Sequence, residues 1–427
     1  EKKWAAKKRQ SFFFWILDYF FRIIMRKPWR RSVMGIGGIL LFPLLRSSTI
    51  IQLLGVGSVS GFKYDLSLPC QDGTRQCRGS ISLAFADTME AFDLKSTPTS
   101  DHDHDFSKVA GVISVHEANI FLGESKDFRK SKSKDEKEVL ASFQASLDLG
   151  KTEEEVLVLP KGVGIRHHDE PVLLATWKEL DKIVQKAKKG HYACYQLYND
   201  GGCEPWKISA MSKTTGNPAM LCAPLTGSGA PTMVLGGFTM HRITGDDRKK
   251  TSMGPQEDTK NKIKAAGFKK VYGSVLDTCL GLGYTAIAAA ECANINKVTT
   301  IELDDVSIEM CRNNPWSQDI FQNENINLIH GDACEVIKSF PANHFSGIIH
   351  DPPARALCKA SDMYGQAFYD DLWRVLRPGA TLFHYIGNPA SKESGRLFKG
   401  VIDRLYKSGF QQVSTDKQAF GVTAKKS

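Results

Sequence analysis

None of the ten cysteines forms a Cys-x-x-Cys pair or any other zinc spacing, which excludes a zinc ribbon and a thioredoxin-type redox motif. Several stand in apolar surroundings, where Cys serves as a small core residue, and a reducing compartment fits best. Long hydrophobic runs are also lacking. The longest uninterrupted stretch, Val33 to Leu45, is too short for the ~20 residues of a membrane helix. Extending it to Val59 puts Arg46 near the middle, at a cost of about 2.5–3.5 kcal/mol. Net charge is scarce outside the start of the chain. Residues 1–64 hold twelve Lys and Arg against Glu1 and Asp18, which accounts for the whole formal charge of +9. Residues 246–427 are nearly balanced, so bulk charge gives no signal for a nucleic-acid partner.

The 427 residues predict two or three domains. Residues 1–64 read as a basic, hydrophobic leader, apolar at Phe12–Leu17 and Tyr19–Phe21. Basic, acid-poor and amphipathic, it suits organelle targeting or membrane association through residues 11–59; a membrane anchor, or a tail outside the functional protein, is the alternative. The expected location is therefore an organelle or a membrane surface, with the cytoplasm as the other choice. Residues 65–138 form a poorly defined region. There Asp101-His-Asp-His-Asp105 reads as a solvated loop, not a metal site, and Ser125–Glu138 as a flexible linker.

Residues 139–245 are expected to form a small α+β accessory domain. Ser142–Leu149 and Glu155–Leu159 alternate like strands, and Thr176-Trp-Lys-Glu179 is a capping box opening a helix through Ala187, stopped by Gly190. Further strands are expected over Tyr192–Tyr198, Trp206–Met211 and Met220–Leu225. His167-His168 reads as an exposed turn. No catalytic motif stands out here; the domain shapes substrate entry or stabilises its neighbour.

In residues 246–427, an apolar strand leads through Asp277 into a turn containing Gly281, Gly283 and Tyr284, followed by a helix over Thr285–Ala290. The glycines allow a sharp turn against a ligand. A second strand, Val298–Glu302, ends in an acid about 20 residues on, where doubly wound folds place a carboxylate on ribose hydroxyls. The third, Ile326–Asp332, ends in Gly-Asp and could meet an adenine amine. The fourth, Phe345–His350, runs into Asp351-Pro352-Pro353. Asp277, Glu302, Asp332 and Asp351 thus fall on the carboxyl edge of one parallel sheet, where ligands bind.

This order, with a helix ending Leu376-Arg-Pro378-Gly379 before the strand Thr381–Tyr385, resembles the class I S-adenosylmethionine-dependent methyltransferases over roughly residues 246–427. The resemblance implies a doubly wound, Rossmann-like α/β sheet preceded by the small α+β domain, with S-adenosyl-L-methionine as cofactor. It places Asp277, Gly281 and Gly283 at the methionine moiety, Glu302 at ribose, Asp332 at adenine and Asp351 facing substrate. Cys279 departs from the pattern, which usually has its first glycine there. Met240-His241-Arg242, Ser252–Lys260, the glycine turn, His350-Asp351-Pro-Pro and Phe383–Pro389 are similar to a group of archaeal-type methyltransferases labelled spermidine-synthase-like.

A sulfonium methyl is already activated, so the chain mainly has to position an acceptor, with a base where that acceptor carries a proton. Asp351 is the orienting candidate, His350 and His384 are candidate bases, and Pro352, Pro353, Tyr364 and Tyr385 are candidate substrate contacts. Ala354 follows the prolines where amino-methyltransferases usually carry a stacking aromatic. Cys358 is a weaker nucleophile candidate. An aminopropyltransferase would need Asp351, Asp362, Asp370 and Asp371 to hold a polyamine, but the Asp-x-x-Asp of that turn is absent. A non-catalytic binding module is the third reading. The methyl acceptor is not written in the sequence.

Overall fold

The computed structural model describes residues 108–427, except 132, 201, 203, 226, 244, 247–250, 356, 359–360 and 390–391, and the backbone of two upstream strands. The chain divides into two compact units, Glu1–Met89 and Glu90–Ser427. In the first, Lys63–Pro69 pairs antiparallel with Gln76–Ser82. That strand runs through the boundary expected after residue 64, while the leader before it and Asp101–Asp105 lie outside the described residues. Among the described residues no helix is long and apolar enough to cross a membrane.

The second unit is built on a seven-stranded sheet. Its strands are β1 (Gly273–Asp277), β2 (Ile295–Glu302), β3 (Ile326–His330), β4 (Phe345–His350), β5 (Leu376–Tyr385), β6 (Phe410–Asp416) and β7 (Gly421–Lys426). The spatial order is β3-β2-β1-β4-β5-β7-β6. The first five strands run parallel, and β7 is antiparallel to both neighbours. Successive residues alternate between two apolar cores. Val275, Ile349 and Phe383 enter one with helices α1 (Pro255–Ala266) and α2 (Tyr284–Ala290). Leu276, Ile348 and Leu382 enter the other, under α4 (Gln366–Val375) and α5 (Lys392–Lys407). Helix α3 (Asp305–Arg312) joins the first core. A sheet covered on both faces explains why its strands read as continuous apolar runs. This is the expected doubly wound α/β fold.

One local expectation differs. Helix α4 ends at Val375, and Leu376 is already extended (φ −75°, ψ 141°). Pro378 blocks continuation and drives Arg377 out of the helical region, so β5 starts where the helix was expected to end.

Order in the accessory part begins upstream of residue 139. Val109–Ile113 pairs with Tyr195–Tyr198, and the helix Val115–Glu124 follows at once. A capping box starts it: Glu117 Oε2 accepts from Ser114 N (2.8 Å) and Ser114 Oγ (2.6 Å). A four-stranded meander runs through Ala141–Ala145, Glu154–Leu159, Gly162–His167 and Glu170–Thr176. Its first strand stops short of the expected Leu149 because Ser146 and Asp148 turn the chain; Asp148 Oδ1 accepts the N–H groups of Lys151 (2.9 Å) and Thr152 (2.8 Å). His168 and Asp169, both at positive φ, form the two-residue turn of the last hairpin. Thr176 caps the helix Trp177–Lys188.

A second small sheet, Ser209–Met211, Pro218–Cys222, Thr232–Leu235 and Phe238–Thr239, packs into the same core as β1. Gln196 Nε2 donates to Asn313 Oδ1 (2.6 Å), and Trp316 Nε1 to the Leu149 carbonyl (3.2 Å). The accessory part is therefore seated on the sheet by both apolar and polar contacts.

Candidate active site

Between β1 and α2 the chain turns at Gly281 (φ 56°) and Gly283 (φ 77°). A Cβ on Gly283 would lie 2.6 Å from Ile320 Cδ1, whereas one on Gly281 would meet nothing. Gly283 thus permits close packing, and Gly281 leaves backbone bare on the cavity side. Glu302, at the end of β2, accepts the Gly281 N–H (3.1 Å) and the Asp304 N–H (2.9 Å). The ribose candidate and the glycine turn are thereby tied together. Burial pushes the Glu302 carboxyl up to about 7. Asp332 Oδ1 accepts from Cys334 N (2.9 Å) and Ser361 Oγ (2.7 Å), capping the short helix Ala333–Val336.

These groups open onto a cavity of about 300 Å³ at the carboxyl ends of β1 to β4. Gly281, Tyr284, Glu302, Asp332, Asp351, Pro352, Pro353, Tyr364 and Tyr385 all border it. Thr215, Met233, Leu235, Phe238, Met240 and His241 supply another wall, so residues ahead of the sheet shape the site. Asp277 sits beneath the turn, outside the lining, where Oδ2 accepts from Thr285 Oγ1 (3.0 Å) and Thr300 Oγ1 (3.2 Å). Burial, with some help from the charge of Asp351, pushes its carboxyl up to about 7. Asp277 holds the turn and does not border the cavity. The Tyr284 hydroxyl is also committed, donating to the Pro231 carbonyl (2.8 Å) and accepting from Asn314 Nδ2 (2.8 Å).

At the end of β4, Asp351 Oδ2 accepts from Lys262 Nζ at 2.6 Å. Lys262 also lies 3.0 Å from Asp258 Oδ2, one turn back on α1, and Asp258 pairs with Arg242. Lys262 and Asp258 are 1% exposed. Burial disfavours the ammonium, but Asp351 and Asp258 outweigh it and hold Lys262 above the ordinary lysine range. The ammonium stands 4.7 Å from the centre of the Tyr385 ring. Two cations and two carboxylates therefore balance beside the Asp-Pro-Pro turn.

Three expected chemical roles do not fit this geometry. His350 and His384 are fully buried and border no part of the cavity. His350 bonds Thr278 Oγ1 (2.7 Å) and the Met363 carbonyl (3.1 Å); His384 bonds the Tyr369 hydroxyl (3.0 Å) and the His350 carbonyl (3.2 Å). With both nitrogens of each ring engaged inside the protein, neither is available as a base to a ligand. Burial pushes His384 down to about 3. Cys358 borders the cavity, but its thiol donates to the Pro353 carbonyl (3.3 Å) and burial pushes it up to about 12. A thiol held in that state is a poor nucleophile.

Sequence reasoning missed Lys262, Asp258 and Arg242, which do not border the cavity but set the charge balance around Asp351. The available signal was the Asp258-to-Lys262 spacing, which puts opposite charges on one helix face.

Residues 274–398 match the family model described as the spermine/spermidine synthase domain. This stretch is a spermidine-synthase-like domain. An uncharacterised protein of Methanocaldococcus jannaschii is 44% identical over 197 residues, covering 46% of this chain and 64% of that protein. Putrescine N-methyltransferase 4 of Nicotiana tabacum is 26% identical over 103 residues, 24% of this chain and 26% of its own length. The chain thus matches under two thirds of either relative. Spermidine synthase from Thermotoga maritima superposes with a TM-score of 0.39 at 16% identity, covering 51% of this chain and 70% of that one. The spermidine-synthase-like domain contains β2 to β4, all of β1 but its first residue, and all four acid-bearing strand ends.

Proposed function

We propose that this protein is a methyltransferase using S-adenosylmethionine, with a small acceptor that is not a polycation. The observation that carries the reading is the ion pair between Lys262 and Asp351. A polyamine-binding site needs unneutralised carboxylates where the acceptor lies; here Asp351 is already compensated, and Pro352, Pro353 and Ala354 follow it. A second cation arriving there meets a balanced cluster, not a negative well. The domain match and the methyltransferase relatives support a cofactor of the S-adenosylmethionine class.

The residues fit that cofactor. Glu302 is suited to ribose hydroxyls, Asp332 to an exocyclic amine, and the bare Gly281 backbone to a close-lying chain. The cofactor brings a methyl group already activated on a sulfonium. What remains for the protein is to exclude water with Met233, Leu235 and Phe238, and to orient the acceptor beside Tyr385 and Asp351. The spermidine-synthase-like domain favours a second reading, aminopropyl transfer from decarboxylated S-adenosylmethionine.

Calorimetric titration of the full chain with each cofactor separates the two. Tighter binding of the intact cofactor, weakened in Glu302→Ala, supports methyl transfer. Tighter binding of the decarboxylated form supports aminopropyl transfer, and a folded protein that binds neither contradicts both.

A further inference from the structure

His241 borders the cavity from the accessory wall and belongs to none of the roles described so far. Its ring lies 5.1 Å from that of Tyr284, the residue that begins α2 after the glycine turn. The charges of Lys262 and Asp258 are near enough to act on it. The imidazole therefore stands at the cavity wall beside the residue that opens α2, within the field of the charges paired around Asp351.

The ring is held by one residue. Thr232 Oγ1 accepts the backbone N–H of His241 (3.2 Å) and lies 3.1 Å from Nδ1. The same hydroxyl directs its proton to the Met233 carbonyl (3.4 Å). Assigned from this network, Nδ1 carries the ring proton and donates it to Thr232, which leaves Nε2 as a lone-pair acceptor. No hydrogen bond to Nε2 is present among the described residues, in contrast to the doubly bonded rings of His350 and His384.

We infer that His241 Nε2 is the recognition atom for the methyl acceptor, taking a hydrogen bond from an N–H or O–H group on it. This rests on the methyltransferase reading above and narrows it to an acceptor that carries a donor hydrogen. Burial, reinforced by nearby Lys262, pushes the imidazole down to about 3, so the ring stays uncharged and its lone pair stays available at physiological pH. Donor recognition by a fixed, neutral acceptor discriminates by leaving that acceptor unpaired when the wrong ligand enters. Asp351, neutralised by Lys262, need not perform this task.

Two adenosine thioethers that differ only at the tip of a short arm on sulfur, hydroxyl in one and methyl in the other, test the inference by calorimetry on the full chain. The wild type is expected to prefer the hydroxyl tip by roughly tenfold, the value of one well-formed buried hydrogen bond. His241→Phe should abolish the preference, His241→Gln should keep part of it, and Thr232→Val should weaken it by freeing the ring. Thermal melting shows whether each variant is folded. Equal affinities in the wild type, or a preference that survives His241→Phe, would overturn the role of His241 while leaving the cofactor site intact. If neither thioether nor S-adenosylmethionine binds the folded wild type, the methyltransferase reading fails and takes this inference with it.

Discussion

The Lys262 ammonium lies 2.6 Å from the Asp351 carboxylate, a partner 89 positions away, and is 1% exposed. Removing one member of such a buried set leaves its partners charged and uncompensated. Lys262→Met is expected to cost roughly 3–5 kcal/mol of stability, read from urea unfolding. The double variant Lys262→Met, Asp351→Leu should lose less than the two single changes added together, because it removes both charges. Strict additivity would show that the pair does not act as a unit.

Stability should fall with rising pH in the acidic range. Burial lifts Glu302 from 4.5 and Asp277 from 3.8, each to about 7. Between these limits the native chain retains protons that the unfolded chain has released, so folding loses free energy as pH climbs, then levels off above about 7. A ligand donating hydrogen bonds to Glu302 favours its ionised form. The rise in melting temperature given by S-adenosylmethionine should therefore be larger at about pH 8 than at about pH 6, and Glu302→Gln should flatten the trend. A ligand-induced shift with the same value at both pH values in the wild type would count against Glu302 as the contact.

The two glycines of the turn should respond differently to alanine. At Gly283 the added methyl overlaps Ile320 in a left-handed conformation, and a loss of roughly 1–3 kcal/mol is expected, partly recovered by Ile320→Val. Gly281→Ala meets no protein atom, so it should cost only the roughly 1 kcal/mol of its positive φ while weakening cofactor binding. Equal stability losses with unchanged cofactor affinity would contradict this division.

Cys358→Ser should retain nearly full transfer activity once an acceptor is found. The wild-type thiol, with burial holding it near 12, should alkylate with iodoacetamide far more slowly than free cysteine at about pH 8. Rapid labelling of this residue, located by peptide mapping, is the contrary result.

The four strand ends were legible because each combines a short β-rich run with an acid before a turn, and parallel topology gathers such ends on one edge. Which carboxylates face the ligand was less so. Asp277 and Glu302 look alike as sequence, yet one is turned under the loop by Thr285 and Thr300 and the other opens to the cavity. His350 and His384 failed as bases because a doubly covered sheet buries both faces, so position at a strand end does not imply access. Lys262 escaped notice because its partner Asp351 is 89 positions away. The strand Val109–Ile113 was hidden in a polar neighbourhood, although Ser114-Val-His-Glu117 carried a helix-start signal.

Met233, Leu235, Phe238, Met240 and His241 form their cavity wall from a stretch that ends before the spermidine-synthase-like domain begins at residue 274. The cavity thus draws its walls from two separate lengths of the chain, one ahead of residue 274 and one after it. Substitution within residues 233–241 reshapes one wall while leaving the residues of the glycine turn unchanged. Likeness confined to residues 274–398 consequently carries no information about the wall built from residues 233–241.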